Sequence, residues 1–446
     1  MKDLTQGSIF KHVITMALPI SIGMLLQTLY YVVDLYFVAR LGDAAVAGVS
    51  AAGNVMFIIM ALTQMVGVGT VALISHAVGR QDQTDANHIF NQSVVLSMLC
   101  AVLTLVCGFG LAEMYMGVLG ADAATREAGV VYLYWFTPGL ALQFAMVVMG
   151  SALRGTGIVK PTMAVQALTV VVNALLAPVL IAGWGTGYPM GVAGAGLAST
   201  IAIVIGVIML TIYFLRLEHY VSFDLTQWNP ELATWRRMLN IGMPAGGEFA
   251  LFALFTGVIY WIIRDFGAAA QAGFGIGSRV MQMVFLPAMA IAFAAAPIAG
   301  QNFGAKNAAR VRETFRSTAL ASSAAMATLT LFCQWQGAAM IGFFTADTEV
   351  VRVGAQFLHI ISWNFVAVGL VFTCSSLFQA LGNTWPSFIS TGLRLFIFAL
   401  PAIWLSRQPG FALVQVWYLS LVTSTIQGLF SLWLVRGQLR QRLQFA

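Results

Sequence analysis

Shifted by 225 residues, the chain matches itself. Pro19 then meets Pro244, Gly42 meets Gly267, Gly48 meets Gly273 and Gly79 meets Gly304. At the same offset Asp122 meets Asp347, Gly129 meets Gly354, Gly157 meets Gly382 and Pro161 meets Pro386. Single coincidences between glycines are common. A run of helix breakers and turn residues at one ungapped offset marks an internal repeat.

Each copy is apolar throughout. Hydrophobic residues make up 59% of the 446 and charged residues 9%, where soluble domains carry roughly 25% charge. Apolar runs recur with cores near 12–38, 46–76, 90–112, 130–152, 161–183 and 190–215, then near 240–263, 270–300, 315–343, 353–380, 386–406 and 411–435. Each is long enough to cross a bilayer as a helix, which takes about 20 residues. The predicted fold is therefore an all-α polytopic membrane protein, with 12 transmembrane helices in two six-helix lobes around a central cavity. Six helices per copy is an even number, so both copies run the same way through the membrane, and the interface between such parallel repeats is the expected substrate path. The longest polar stretch divides an N-lobe at 1–215 from a C-lobe at 240–446, with the connector at 216–239.

Charge sets the orientation. With the N-terminus inside, fifteen of the 22 Lys and Arg residues fall on the inner side and five on the outer, while Arg279 and Arg394 lie within spans. Both termini and the connector are thus expected in the cytoplasm. Lys2 and Lys11 precede an apolar run that continues as a full span, so the start reads as a first helix and not as a cleaved signal. The net charge of +6 follows from this bias and needs no nucleic-acid partner. Cys100, Cys107, Cys333 and Cys374 lie in apolar stretches without CxxC or metal spacing and read as small core residues. Ala193-Gly194-Ala195-Gly196 lacks the preceding strand of a nucleotide loop and suits close helix packing. No Walker lysine motif is present, which argues against ATP as the direct energy source.

Four ionisable Asp, Glu, Lys or Arg residues fall well within spans: Asp34, Glu248, Arg279 and Arg394. Their repeat mates are Ile259, Gly23, Asn54 and Thr169, so the scaffold is repeated and the charges are not. A carboxylate inside a span is costly and marks a functional site by default. Gln27, Tyr30 and Tyr31 lie seven, four and three residues before Asp34, on its helix face. In the fifth span Thr162, Gln166, Thr169 and Asn173 form a second polar face. Two readings of it stay open: polar glue between helices, or a face that meets Gln27–Asp34. Glu248, near mid-span, suits a cationic substrate, a proton, or an ion pair with Arg279 or Arg394; Arg279 also reads as a scaffold residue. Pro19 and Pro244 remove a helical hydrogen bond in the paired first and seventh spans and permit a bend there.

In several local motifs the chain resembles the multidrug and toxic compound extrusion (MATE) family, in its DinF-like branch. The resemblance covers the whole length. It rests on Ala17-Leu18-Pro19 with Gln27 and Asp34, on Leu153-Arg154-Gly155-Thr156-Gly157 with Pro161, on Pro297-Ile298-Ala299-Gly300-Gln301-Asn302-Phe303-Gly304-Ala305, and on Gln379-Ala380-Leu381-Gly382-Asn383. It implies a secondary antiporter that exports organic cations and amphipathic drugs by alternating access, not an enzyme and without a cofactor. Asp34, Gln27 and Asn173 match the family's N-lobe site, and Pro19 matches a proline where the first helix bends. Two departures stand out. The second fifth-helix aspartate is Ala177 here, and the seventh-helix glutamate position is Phe252, with Glu248 one turn earlier. The tenth span holds no carboxylate, and sodium needs several oxygen ligands together, so protons are favoured over sodium as the coupling ion.

The expectations are then as follows. Asp34, Asn173, Gln27 and Tyr30 serve proton coupling; Glu248, Gln166, Thr169 and Arg279 contact substrate; Pro19 and Pro244 are hinges; no metal is held. The chain works as a monomer in the lipid bilayer of the inner (plasma) membrane. The alternatives are a related lipid-linked saccharide flippase, which would want a more cationic cavity, and a membrane prenyl-transfer enzyme, which would want clustered aspartates.

Overall fold

In hydrocarbon a backbone has to satisfy its own polar groups, and an apolar run does so as a helix. The computed structural model describes residues 1–120 and 122–444, with only the backbone of Tyr31, so the Tyr31 side chain lies outside the described residues. The described residues form α1 (Ile9–Val38), α2 (Asp43–Gly53), α3 (Val55–Gly79), α4 (Gln83–Leu119), α5 (Ala123–Gly155), α6 (Lys160–Ala182) and α7 (Val192–Arg216). The second copy follows as α8 (Leu232–Ile263), α9 (Ala268–Gly304), α10 (Ala308–Gly342), α11 (Thr348–Ile361), α12 (Phe365–Ala380), α13 (Trp385–Ser406) and α14 (Leu413–Arg442). α2 with α3, and α11 with α12, each make one long segment, so twelve segments result. Eleven are long and apolar enough to cross a membrane among the described residues. The other is α10, whose first turns carry Arg310, Arg312, Glu313 and Arg316.

The 225-residue offset holds in the backbone. A 3₁₀ turn at Ala39–Leu41 recurs at Arg264–Phe266, and the glycines that follow, Gly42 and Gly267, have φ of 105° and 91°. Gln81 and Lys306, also 225 apart, both sit at positive φ, 60° and 57°, a region side chains seldom adopt. The next residues cap the next helices: Asp82 accepts from Asp85 N at 3.0 Å, and Asn307 from Arg310 N at 3.2 Å. Asp122 and Asp347 do the same for α5 and α11, accepting from Thr125 N at 2.7 Å and from Glu349 N at 2.9 Å. The Thr125 amide and hydroxyl hold the Asp122 carboxyl below the usual carboxylate range. A Cβ on Gly48 would lie 2.8 Å from Gly129 N, and one on Gly273 would lie 3.0 Å from Gly354 N. All four glycines were matched by the offset because each copy repeats the same close helix crossing.

The helices gather into two compact units. The first comprises residues 1–3 and 22–242, and the second residues 4–21 and 243–446. These bounds depart from a division at 215 and 240. α1 changes unit between Ser21 and Ile22, two residues after Pro19, and α8 between Gly242 and Met243, just before Pro244. Both segments before the change are tied down by amide side chains. Leu4 is fully buried in the second unit, where its N–H donates to Gln301 Oε1 at 2.9 Å and its carbonyl accepts from Asn302 Nδ2 at 3.2 Å. In the first unit, the connector before α8 is clasped by α4. Asn91 Nδ2 donates to Ser222 O at 3.0 Å, and Gln92 Nε2 donates to Gln227 O and Asn229 O at 2.7 and 2.8 Å. Of the cysteines, Cys333 and Cys374 are buried; Cys100 is half-buried and Cys107 exposed on α4, so the core reading holds for the first two.

Candidate functional site: a buried carboxylate in the first unit

Asp34 lies four residues before the end of α1 and is 7% exposed. α6 and α7 meet it. Asn173 Nδ2 donates to Asp34 Oδ1 at 3.3 Å, and Ser199 Oγ donates to Asp34 Oδ2 at 3.1 Å. Asn173 and Ser199 are fully buried. Local sequence explains the approach. Any Cβ on Gly194 would collide with Leu180 O of α6, and one on Gly196 would lie 2.8 Å from Tyr132 O of α5. The small residues that open α7 therefore let it lie directly against two backbones, which carries Ser199 one turn further on to the carboxylate. On the other side, Gly23 of α1 leaves room for the Gln166 side-chain oxygen of α6, which a Cβ would strike.

The site can serve two protonation states. An ionised carboxylate only accepts hydrogen bonds, while a protonated one must also donate. Both donors that Asp34 receives suit the ion. Asn173 Oδ1 is buried and accepts no hydrogen bond among the described residues, so the same amide offers an acceptor for the acid form.

The remaining expected residues are placed as follows. Gln27 is exposed and Tyr30 half-buried; Asn173 and Ser199 both donate hydrogen bonds to Asp34, and Ser199 lies outside the expected set. Gln166 is half-buried. The Thr169 hydroxyl donates to Gln166 O at 2.8 Å, and a Cβ on Gly206 of α7 would lie 2.8 Å from its methyl, so Thr169 packs α6 against α7. In the second unit Glu248 of α8 lies beside the Ser387 hydroxyl of α13, with Oε1 shielded and unpartnered. Arg394 sits 4.3 Å from the centroid of the Phe255 ring, a cation–π contact. Arg279 is exposed on α9. Among the described residues neither arginine forms an ion pair with Glu248. Pro19 and Pro244 lie inside α1 and α8. Ser199 escaped the sequence reading because a serine in a run of small residues reads as helix packing; its one signal was its place three residues after Gly196.

A duplicated bundle of helices long and apolar enough to span a membrane, with one carboxylate buried against polar groups inside the first copy, defines a polytopic membrane protein. The chain belongs to the MatE family, whose model matches residues 19–179 and 244–405. The two matches begin at Pro19 and Pro244, the first pair of the repeat. Members of this family are transporters and not enzymes. Among curated relatives, the probable multidrug resistance protein YpnP of Bacillus subtilis is 25% identical over 421 residues, spanning 93% of this chain and 90% of that protein. The multidrug export protein MepA of Staphylococcus haemolyticus is 24% identical over 384 residues, 85% of this chain and 83% of that one. Solved structures share the fold. An outward-facing multidrug resistance MATE transporter superposes with a TM-score of 0.92 at 21% identity, covering 99% and 98% of the two chains. A MOP superfamily transporter from Pyrococcus furiosus, described as having a binding pocket of reversed polarity, matches with the same score, identity and coverage.

Proposed function

We propose that this chain is an antiporter of the inner membrane, with both termini cytoplasmic, that exports cationic and amphipathic drugs in exchange for protons. The observation that carries the reading is the Asp34–Asn173–Ser199 cluster. A carboxylate out of water, with hydrogen-bonding groups for both of its forms, is built to gain and lose a proton. Protonation removes a charge and turns an acceptor into a donor, which rearranges the bonds from α6 and α7 to α1. Pro19, whose missing N–H leaves α1 free to bend, lies where such a rearrangement is converted into movement of the helix, and alternating access follows. The driving force is adequate: a proton carries about 2.3 kcal/mol per 100 mV and about 1.4 kcal/mol per pH unit.

Protons are favoured over sodium because sodium needs several oxygen ligands in one place and the tenth span carries no carboxylate. Glu248, with no ion pair among the described residues, is assigned to substrate selection. The test is transport by the purified protein in proteoliposomes with proton and sodium gradients imposed independently. Export of a cationic dye driven by the proton gradient alone is expected; export driven by sodium alone would reject the proton assignment.

A further inference from the structure

The first unit carries a second feature that the carboxylate cluster does not use. A groove of about 700 Å³ opens between α4, α5 and α7, lined by Phe109, Tyr134, Trp135, Pro138, Leu197 and Thr200. Its one polar lining group on α7 is already engaged, since Thr200 Oγ1 donates to Trp135 O at 2.6 Å. The rest is aromatic and aliphatic: Phe109 and Trp135 are 46% and 42% exposed, and the Phe109 and Tyr134 rings lie 5.9 Å apart. At the mouth the Tyr134 hydroxyl donates to Glu113 Oε1 at 3.3 Å.

Glu113 is exposed one turn beyond Phe109 on the same face of α4, and among the described residues it has no ion pair. Arg126, in the first turn of α5, donates to Gly120 O at 3.2 Å. Glu113 is six residues from the end of α4 at Leu119 and Phe109 is ten. At 1.5 Å per residue these depths are about 9 and about 15 Å, so a carboxylate near the membrane surface stands over an aromatic groove set deeper in the hydrocarbon. An anion over aromatic faces attracts a cation, and a groove of this volume holds a drug-sized molecule. Among the described residues the lining holds no lysine or arginine for a phosphate, which argues against a phospholipid headgroup.

We propose that this groove binds cationic amphiphiles, quaternary alkylammonium compounds in particular. The alkyl chain lies along Phe109, Trp135 and Pro138, and the ammonium sits on the Tyr134 ring against the Glu113 carboxylate. The choice of a cation rests on the exporter reading above, but the site does not require Asp34, and its test measures binding without transport. The protein in lipid nanodiscs is incubated with a photoreactive dodecyltrimethylammonium probe and a matched neutral dodecyl probe, and adducts are mapped by mass spectrometry. Adducts are expected on α4 and α5 around Phe109 and Trp135. Glu113→Gln should weaken the cationic probe about tenfold, as expected for a charge and cation–π pair at a partly exposed site, and leave the neutral probe unchanged. Trp135→Leu should weaken both, and Tyr134→Phe, which keeps the ring, should retain most cationic binding. Thermal unfolding of each variant shows that it is folded. Equal loss of both probes in Glu113→Gln, adducts confined to other helices, or displacement of the probe by phosphatidylethanolamine at equal concentration would overturn the proposal.

Discussion

Asn91 is fully buried at the start of α4 and uses its whole hydrogen-bonding capacity. Its Nδ2 donates to Asn87 O at 2.9 Å and Ser222 O at 3.0 Å, while its Oδ1 accepts from Asp224 N at 2.9 Å and Trp228 Nε1 at 3.0 Å. Three of these bonds hold the connector. Asn91→Ala removes them, at about 1 kcal/mol each or about 3 kcal/mol in all. If that energy holds the connector closed, its loss speeds local opening on the order of 100-fold, since about 1.4 kcal/mol is a factor of ten. Hydrogen–deuterium exchange with mass spectrometry reads this directly in peptides covering residues 219–231. The expected result is fast exchange at Asp224 and its neighbours, with the protection of α4 and α5 retained. Unchanged exchange across the connector in a folded Asn91→Ala protein would refute the view that α4 clasps it.

Three further outcomes are expected. Gly48→Ala and Gly273→Ala should each destabilise the protein by about 1–3 kcal/mol, because the added carbon meets backbone in either copy; thermal unfolding should show similar losses, and loss in one copy alone would break the equivalence of the two crossings. The Thr226 hydroxyl and amide hold the Asp224 carboxyl below its ordinary range, so its stabilisation of the connector is present above the unfolded carboxylate value near 4 and is lost as pH falls through the lower folded value; exchange in 222–231 should rise only in that acid window, and Asp224→Asn should abolish the dependence. Glu248→Gln should weaken resistance to some cationic drugs more than others, and uniform loss for all drugs in a well-expressed protein would argue against a selective role.

The repeat was legible because breakers and caps are local: Gly42, Asp122 and Gly157 do the same backbone work as their mates 225 residues on. Asp34 and Asn173 were legible as polar residues on apolar helices. What the sequence left hidden depends on helix rotation, which helices apolar on every side do not encode. Nothing in the periodicity of α1 announces that Ser199 of α7 donates to Asp34. The clasp on the connector was equally hidden, since Asn87, Asn91 and Gln92 are uncharged and fall at or just inside the start of the apolar run near 90–112. The change of unit along α1 and α8 had only the prolines as its mark, and a proline signals a bend without saying what lies on either side.

The central claim is that Asp34 carries the proton. Asp34→Asn keeps the size of the side chain, cannot exchange a proton, and costs less to bury than a charge, so the protein should fold and reach the membrane. Asn173→Ala and Ser199→Ala should slow transport less, since they steady the carboxylate without carrying the proton. The measurement is drug-induced proton movement in proteoliposomes, recorded beside drug export. The wild type should couple the two, and Asp34→Asn should show neither proton movement nor export against a drug gradient. Export by Asp34→Asn at the wild-type rate, driven by a proton gradient, would contradict the assignment.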